Sequence, residues 1–439
     1  MKFYDRTEEI ATLQKIRLNS AENAQFTVVT GRRRIGKTSL ILKAYEDTPI
    51  LYFFVGRKAE SLLCEEFRQE VETKLDIKIG GTPANFAELF DFLMSLSKQL
   101  NFTLFIDEFQ NFFRVNPAVF SDMQRIWDLN HSSSKVNLIV CGSVYSMMTK
   151  IFRDSKAPLY NRQNRFMRVK AFKPSVLKEI LNDNAPDYSN DDLLGLYSFT
   201  GGIAKYVQLL VEDHALTVDS MIDSIISSDS VFINEGRAIL VEEFGKDYDT
   251  YFSILSAIAS GNTRRAEIET LIGKEIGGYL TRLEDDYGII RKEIPLGAKK
   301  LSKNAIYVIQ DNFLTFWFRF IFKYGHILEI GAYNQLRTLI KRDYTTFSGK
   351  MLERYFHAKA AETGNYTIIG QWWDRKGEKE IDMIAANEID KEAEIFEIKR
   401  NRKNINIAEL DKKVKVMLPR IPSLKDCSVE IRGLDLENM

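Results

Sequence analysis

Residues 31–38 read Gly31-Arg32-Arg33-Arg34-Ile35-Gly36-Lys37-Thr38, a complete G-x-x-x-x-G-K-[ST] pattern. Such a loop wraps a polyphosphate. Its glycines permit a tight backbone turn, and its N–H groups and the helix N-terminus that follows at Ser39 hold the phosphates. Its lysine reaches the β and γ oxygens and its threonine ligates Mg²⁺. A second signal is Asp107-Glu108, two acids ending the apolar run Phe102–Ile106. An acid at that strand end completes a magnesium shell and the next one polarises the attacking water, so Asp107 is assigned to the metal and Glu108 to the water. Further along, Gly142-Ser143 ends another apolar run and places a hydroxyl where a γ-phosphate would lie. Arg162 and Arg165 follow, and an arginine delivered to that phosphate neutralises transition-state charge, often across a subunit interface. Lys205, after Gly201-Gly202, is a further candidate for touching nucleotide. ATP and Mg²⁺ are the expected cofactors.

A quieter constellation lies near the C-terminus. Glu380-Ile-Asp382-Met-Ile-Ala385 and Glu394-Ile-Phe-Glu397-Ile-Lys399 are of strand length. Glu397 and Lys399, two apart, face one side, and a hairpin would bring Asp382 to them. Two carboxylates can hold Mg²⁺ or Mn²⁺ while a lysine stabilises or deprotonates water, as phosphodiester hydrolysis needs. Glu353, on an amphipathic helix upstream, would complete the shell. A charged hairpin with solvated outer faces explains the same residues without chemistry, and the bare pattern leaves both open.

The elements that must position these groups follow from periodicity. Short apolar strands at Thr27–Thr30, Ile50–Val55, Thr103–Ile106 and Asn137–Cys141 alternate with helical patterns, which implies a parallel sheet covered on both faces. Helical periodicity from about 172 to 230 predicts a small lid. Residues 247–300 give three short amphipathic helices, and Ile289-Ile290 and Ala305–Ile309 are candidate wing strands, so a winged helix-turn-helix is expected. The recognition-helix region ends in Glu284, Asp285 and Asp286, a poor match to phosphate; Lys292, Lys299, Lys300 and Lys303 compensate in part. The fold class is multidomain α/β: residues 1–170 a P-loop core, 171–240 the lid, 241–310 the winged helix, and 311–439 a last α/β domain.

Composition narrows the partners. The 439 residues carry 61 basic and 61 acidic side chains, so no global field draws the chain to nucleic acid or anionic membrane. Any DNA site must be a local basic patch. Cys64, Cys141 and Cys427 have no metal-ligand spacing and read as reduced thiols. No run approaches the roughly 18 apolar residues of a membrane span, and the expectation is a cytoplasmic protein without membrane contact. An arginine finger used in trans would require a homo-oligomer.

Together these segments resemble the archaeal-type ATPase family within the AAA+/STAND group of P-loop ATPases, over residues 3 to about 230. The resemblance rests on Phe3-Tyr-Asp-Arg6-Thr-Glu8-Glu9, Gly31–Thr38, Ile106-Asp107-Glu108, Gly142-Ser143, Pro158-Leu-Tyr-Asn-Arg162 and Gly201-Gly202. It implies a P-loop ATPase core with a lid, and selects Arg162 over Arg165 as the finger. Where that family often has Gly and Pro, this chain has Asn161 and Ala204. Helical Glu353, then Asp382, then Glu397-x-Lys399 resembles the PD-(D/E)xK restriction-endonuclease-like fold. Tyr307–Phe320 and Trp372-Trp373 resemble the uncharacterised C-terminal domain that accompanies archaeal-type ATPases. The expectation is an Mg²⁺-dependent ATPase coupled to a DNA-directed, nuclease-like effector with metal ligands Asp382 and Glu397. The alternative is a nucleotide-dependent switch or DNA-binding regulator whose C-terminal domain is a scaffold.

Overall fold

Every residue of Gln25–Thr30 (β1), Thr103–Asp107 (β3) and Asn137–Gly142 (β4) is buried, as befits central strands of a parallel sheet covered on both faces. The computed structural model describes residues 1–244, 248–299, 302, 304–375 and 377–439. They form two compact units, Asp5–Lys170 and Met1–Tyr4 together with Ala171–Met439. Among them, no helix is long and apolar enough to cross a membrane.

In the first unit Ile50–Phe54 (β2) and Arg165–Arg168 (β5) complete a five-stranded parallel sheet in the order β2-β3-β4-β1-β5. Phe26, Val28, Leu104 and Val140 point to one face, where they share a core with Phe67, Phe90, Ile126 and Phe152 from four helices. The other face packs against the helices Thr7–Ser20 and Lys37–Ala44, which Tyr45 helps tie together by donating its hydroxyl to the Leu13 carbonyl at 2.8 Å. Strand β5 is absent from the sequence expectation. Its ends, Arg165 and Arg168, are exposed and its centre only half-buried, so this edge strand has no apolar run. The order sets the carboxyl ends of β3, β4 and β1 side by side, with Thr30 opposite Gly142, the crevice in which open α/β sheets bind ligands.

The second unit begins with five helices, Pro174–Asn184, Asn190–Thr200, Ala204–Glu212, Val218–Ile225 and Phe232–Phe244. The Asp192 carboxylate staples two of their starts, accepting from the N–H groups of Ser189 at 2.9 Å and Val218 at 2.7 Å. Three helices follow, Tyr248–Ala259, Arg265–Ile272 and Gly277–Thr281, the last widening into a π-turn through Asp286. Ile290–Glu293 (β6) and Ile306–Ile309 (β7) then pair antiparallel. One of the three acids at that helix end is structural: Glu284 accepts the Lys292 N–H at 2.8 Å. Of the lysines read into the wing, Lys300 and Lys303 lie outside the described residues.

The aromatic stretch is a core element. Phe313, Phe316, Trp317, Phe318 and Phe320 are buried, and the Trp317 indole donates to the Ile233 carbonyl at 2.9 Å. Gly236 faces that ring so closely that a Cβ would lie 2.3 Å from it. A helix of 31 residues, Tyr333–Thr363, leads into the last sheet. Ile368–Trp373 (β8), Glu380–Asn387 (β9) and Glu392–Ile398 (β10) form an antiparallel meander. The helix Ile407–Met417 then crosses over to Ser428–Leu434 (β11), which pairs parallel to β10.

Candidate functional site

Gly31 sits at φ 154°, and a Cβ there would lie 2.7 Å from the Val169 carbonyl oxygen, so the loop entrance tolerates no side chain. Arg34 (φ 66°) and Gly36 (φ 93°) take left-handed conformations that complete the wrap, while Ile35 anchors it in the core. Arg32 and Arg33 are half-buried in the loop and Ser39 is exposed in the first helical turn. The Lys37 ammonium, buried at the helix start, donates to the carbonyls of Gly31 at 2.9 Å and Arg32 at 3.0 Å. Those are weak acceptors compared with phosphate oxygens, which form charge-assisted bonds.

The Thr38 hydroxyl donates to Asp107 Oδ2 at 2.7 Å, joining the loop to the end of β3. Tyr52 on β2 donates to the same oxygen at 3.2 Å, and Asp107 Oδ1 accepts the Glu108 N–H at 2.9 Å. Burial, then the Asp107 charge, pushes the Tyr52 hydroxyl upward, so it remains a donor. Burial also raises the Cys141 thiol beneath the site, which stays neutral. Glu108 turns out of the strand at φ 53°, where its Oε2 accepts from Ser143 Oγ at 2.9 Å and from the Gln110 amide. The donor set fits an Mg²⁺–triphosphate: a cradle closed to side chains, a lysine held by carbonyls, and a hydroxyl touching a carboxylate.

Two of the arginine expectations resolve differently. Arg162 forms a bidentate pair with Asp128, with nitrogens 3.0–3.3 Å from its oxygens. The neighbouring Asn164 N–H donates to the Phe26 carbonyl at 2.7 Å, near the start of β1. Arg162 therefore lies at the strand end opposite the phosphate loop, with about 13 Å of β1 between Phe26 and Thr30. Arg165 opens β5 and donates to the Asn164 carbonyl at 3.1 Å. Asn161 adopts φ 55°, a conformation Gly takes freely and Asn tolerates. Ala204 is the first residue of its helix, a position open to either Pro or Ala. Lys205 lies in the second unit and donates to Gln208 Oε1 at 3.4 Å. Tyr52 and Gln110 escaped the sequence reading. Gln110 stands two residues past Glu108, a spacing that signals nothing unless the turn is known.

At the C-terminal cluster the hairpin of β9 and β10 forms, and the Lys399 ammonium reaches Asp382 Oδ2 at 2.8 Å and Glu397 at 3.8 Å. The carboxylates that gather are not the expected set. Among the described residues, Glu353, Glu380 and Asp382 each offer an oxygen within 4.8 Å of the others. Glu397 instead accepts the Asn406 N–H at 3.1 Å, bracing the turn before the last long helix. Glu380 was legible, since it lies two residues before Asp382 and shares its strand face. Asp382 Oδ2 also accepts the Ile398 N–H at 2.8 Å. Lys350, one turn before Glu353, bridges Glu353 at 3.0 Å and Glu380 at 3.3 Å. Burial raises Glu353 to about 7, Lys350 pulling it back and the charges of Asp382 and Glu380 pushing further up. The His357 ring reaches the Asp382 carbonyl at 2.9 Å, and burial lowers its basicity. Beyond the hairpin, Arg400 donates to Ser348 Oγ at 2.7 Å and Asp191 Oδ2 at 2.8 Å.

A family model described as an ATPase domain predominantly from Archaea matches residues 3–210, and one described as archaeal bacterial proteins of unknown function matches 317–411. Over 407 residues the chain is 32% identical to the uncharacterised protein MJECL04 of Methanocaldococcus jannaschii, covering 90% of this chain and 87% of that protein. Its fold is similar to that of the Walker-type ATPase PABY2304 of Pyrococcus abyssi, with TM-score 0.56 and 20% identity over 72% of this chain and 96% of that one. It is also similar to the ORC2 protein of Aeropyrum pernix, with TM-score 0.51 and 14% identity over 78% and 96% of the two chains. The loop, the paired acids and these matches agree: the chain belongs to the archaeal-type P-loop ATPase family, joined to a C-terminal domain of unknown function.

Proposed function

We propose that this protein is an Mg²⁺-dependent ATP hydrolase whose nucleotide state governs its C-terminal domain. The observation that carries this reading is the 2.7 Å bond from Thr38 to Asp107 beside a lysine held by two loop carbonyls. Bound Mg²⁺ would neutralise charge on the β and γ oxygens. Thr38 and Asp107 would hold it, Lys37 would exchange its carbonyls for phosphate oxygens, and the N–H groups of residues 31–39 would surround the anion. Glu108 takes a proton from water as the water oxygen bonds to the γ-phosphorus. The bond from that phosphorus to the bridging oxygen breaks, leaving its electron pair on ADP. Ser143 lies against Glu108 to sense the γ-phosphate. Arg162, at the far end of β1, serves a neighbouring subunit in a homo-oligomer, and Lys205 is a further candidate for touching nucleotide. Phosphate release measured with Mg²⁺ and with EDTA tests the core claim; equal, background rates in both would end it.

For the C-terminal domain we propose a divalent-cation centre of Glu353, Glu380 and Asp382 serving a nuclease-like effector that acts on DNA, with Lys399 beside the attacked phosphate and Glu397 steadying the turn. Support comes from the β9–β10 hairpin, which brings the Lys399 ammonium to Asp382 at 2.8 Å, and from the sequence resemblance to the restriction-endonuclease-like fold. Plasmid incubated with Mn²⁺ and ATP tests it: cleavage by Asp382→Ala equal to that by wild type removes the nuclease claim. A second reading, a switch with a scaffold domain, draws on Lys350 and Lys399, which already balance much of the cluster's charge. The three short helices with β6 and β7 support the winged-helix reading. Under the switch reading it contacts protein or DNA, and DNA affinity falling steeply with salt would favour the latter.

A further inference from the structure

We infer that Gln110 is a positioning residue for the Glu108 carboxylate, an assignment that rests on Glu108 being the group that activates water. Two devices fix Glu108, one for its backbone and one for its side chain. The backbone turns at φ 53° and is locked by the Asn111 N–H on the Glu108 carbonyl at 2.9 Å, while the Asn111 side chain donates to the Val55 carbonyl at 2.8 Å. That turn aims the carboxylate off the end of β3 but leaves its own torsions free. Gln110 and Ser143 then donate to the same oxygen, Oε2. With Oε2 held from two sides, Oε1 is the oxygen left to accept the proton of the attacking water.

Gln110 is suited to this and to little else. It is 2% exposed, and its Oε1 has no hydrogen-bond partner among the described residues. A residue present only for packing would be apolar there, since a buried unpaired amide oxygen costs stability. The amide lies close against β4: a Cβ on Gly142 would lie 2.4 Å from Gln110 Oε1 and 2.4 Å from Met148 Sδ. The amide fills the gap that a glycine at the end of β4 leaves open.

The test is a double-mutant cycle on ATP turnover by the full-length chain. Gln110→Leu lowers kcat by roughly tenfold to a hundredfold, as misplacing a reacting group does, while KM for ATP stays within about twofold because no phosphate contact is touched. In the Glu108→Ala background, measured by single-turnover phosphate release, the same substitution changes the rate by less than about twofold. Gln110→Met, of similar volume, repeats the measurement, and the affinity of a fluorescent ATP analogue for both variants verifies an intact loop. Equal losses in the two backgrounds would mean that Gln110 acts through packing and overturn the assignment. So would an unchanged kcat in Gln110→Leu when Glu108→Ala is slow. A Glu108→Ala chain that turns over ATP at the wild-type rate instead removes the water-activating reading, and this inference with it.

Discussion

Lys37 and Lys350 each stand among oxygen atoms, but the oxygens differ in kind. Lys37 is buried and leans on two backbone carbonyls, and the nearby Asp107 is engaged by a threonine, a tyrosine and an N–H group, all neutral. Lys350 exposes 62% of its side chain and is held by two carboxylates, while Lys399 neutralises a third. The nucleotide site is held in shape by dipoles that an incoming charged ligand outcompetes. The C-terminal cluster is held by full charges, so any cation must first displace an ammonium. Preorganisation and charge balance are different states, and they respond to different perturbations.

Removing the lysine separates them most sharply. Lys37→Ala should reduce ATP turnover by roughly a thousandfold, because the loss falls on charge stabilisation in a water-poor site. Lys350→Ala should leave turnover unchanged and strengthen Mn²⁺ binding at the cluster. The next effect belongs to the metal. If the cluster binds Mn²⁺, the ion at about a hundred times its dissociation constant should stabilise the fold by about 2.7 kcal/mol, seen as a raised melting temperature that Asp382→Ala abolishes. The rise should be larger at pH 8 than at pH 6, because Glu353, raised to about 7, must release its proton to bind a cation.

Without metal, that same carboxyl sets a slope. Its proton is held more tightly folded than unfolded, so its contribution is complete below the ordinary carboxyl range and is lost as pH climbs towards 7. Stability should fall with pH in that window by up to about 1.4 kcal/mol per unit, and Glu353→Gln should flatten the curve measured by urea titration. The smallest effect is at Arg162. Asp128→Ala removes a surface pair worth at most about 1 kcal/mol, and a detectable gain in ATP turnover at high protein concentration would mark an arginine freed for a neighbouring subunit.

The comparison also separates what was legible in the sequence from what was not. The phosphate loop and Asp107-Glu108 are local patterns with obligatory chemistry, and three fully buried strands were readable as apolar runs. Strand β5 was not, since Arg165 and Arg168 contribute no burial to an edge. Tyr52 was hidden because its role depends on β2 lying beside β3, a neighbour relation that periodicity does not contain. At the C-terminus the hairpin was legible and the carboxylates that gather beside it were not. Glu397 is claimed by the Asn406 N–H, a contact fixed by how the chain leaves β10, whereas Glu380 needed only the alternation rule that was applied to Glu397 and Lys399.

Tyr333–Thr363 is one unbroken helix of 31 residues. It is pinned at Tyr344, whose hydroxyl reaches the Asp191 carbonyl at 3.2 Å, and at Ser348, held by Arg400. Glu353 follows Tyr344 by nine residues, a lever arm of roughly 14 Å at the helical rise. Pivoting that beam by about four degrees carries the carboxylate sideways by about 1 Å, several times the roughly 0.2 Å tolerance of a metal–ligand distance. The seating of the helix that carries Asp191 therefore sets how closely Glu353 on this beam approaches Glu380 and Asp382 on β9.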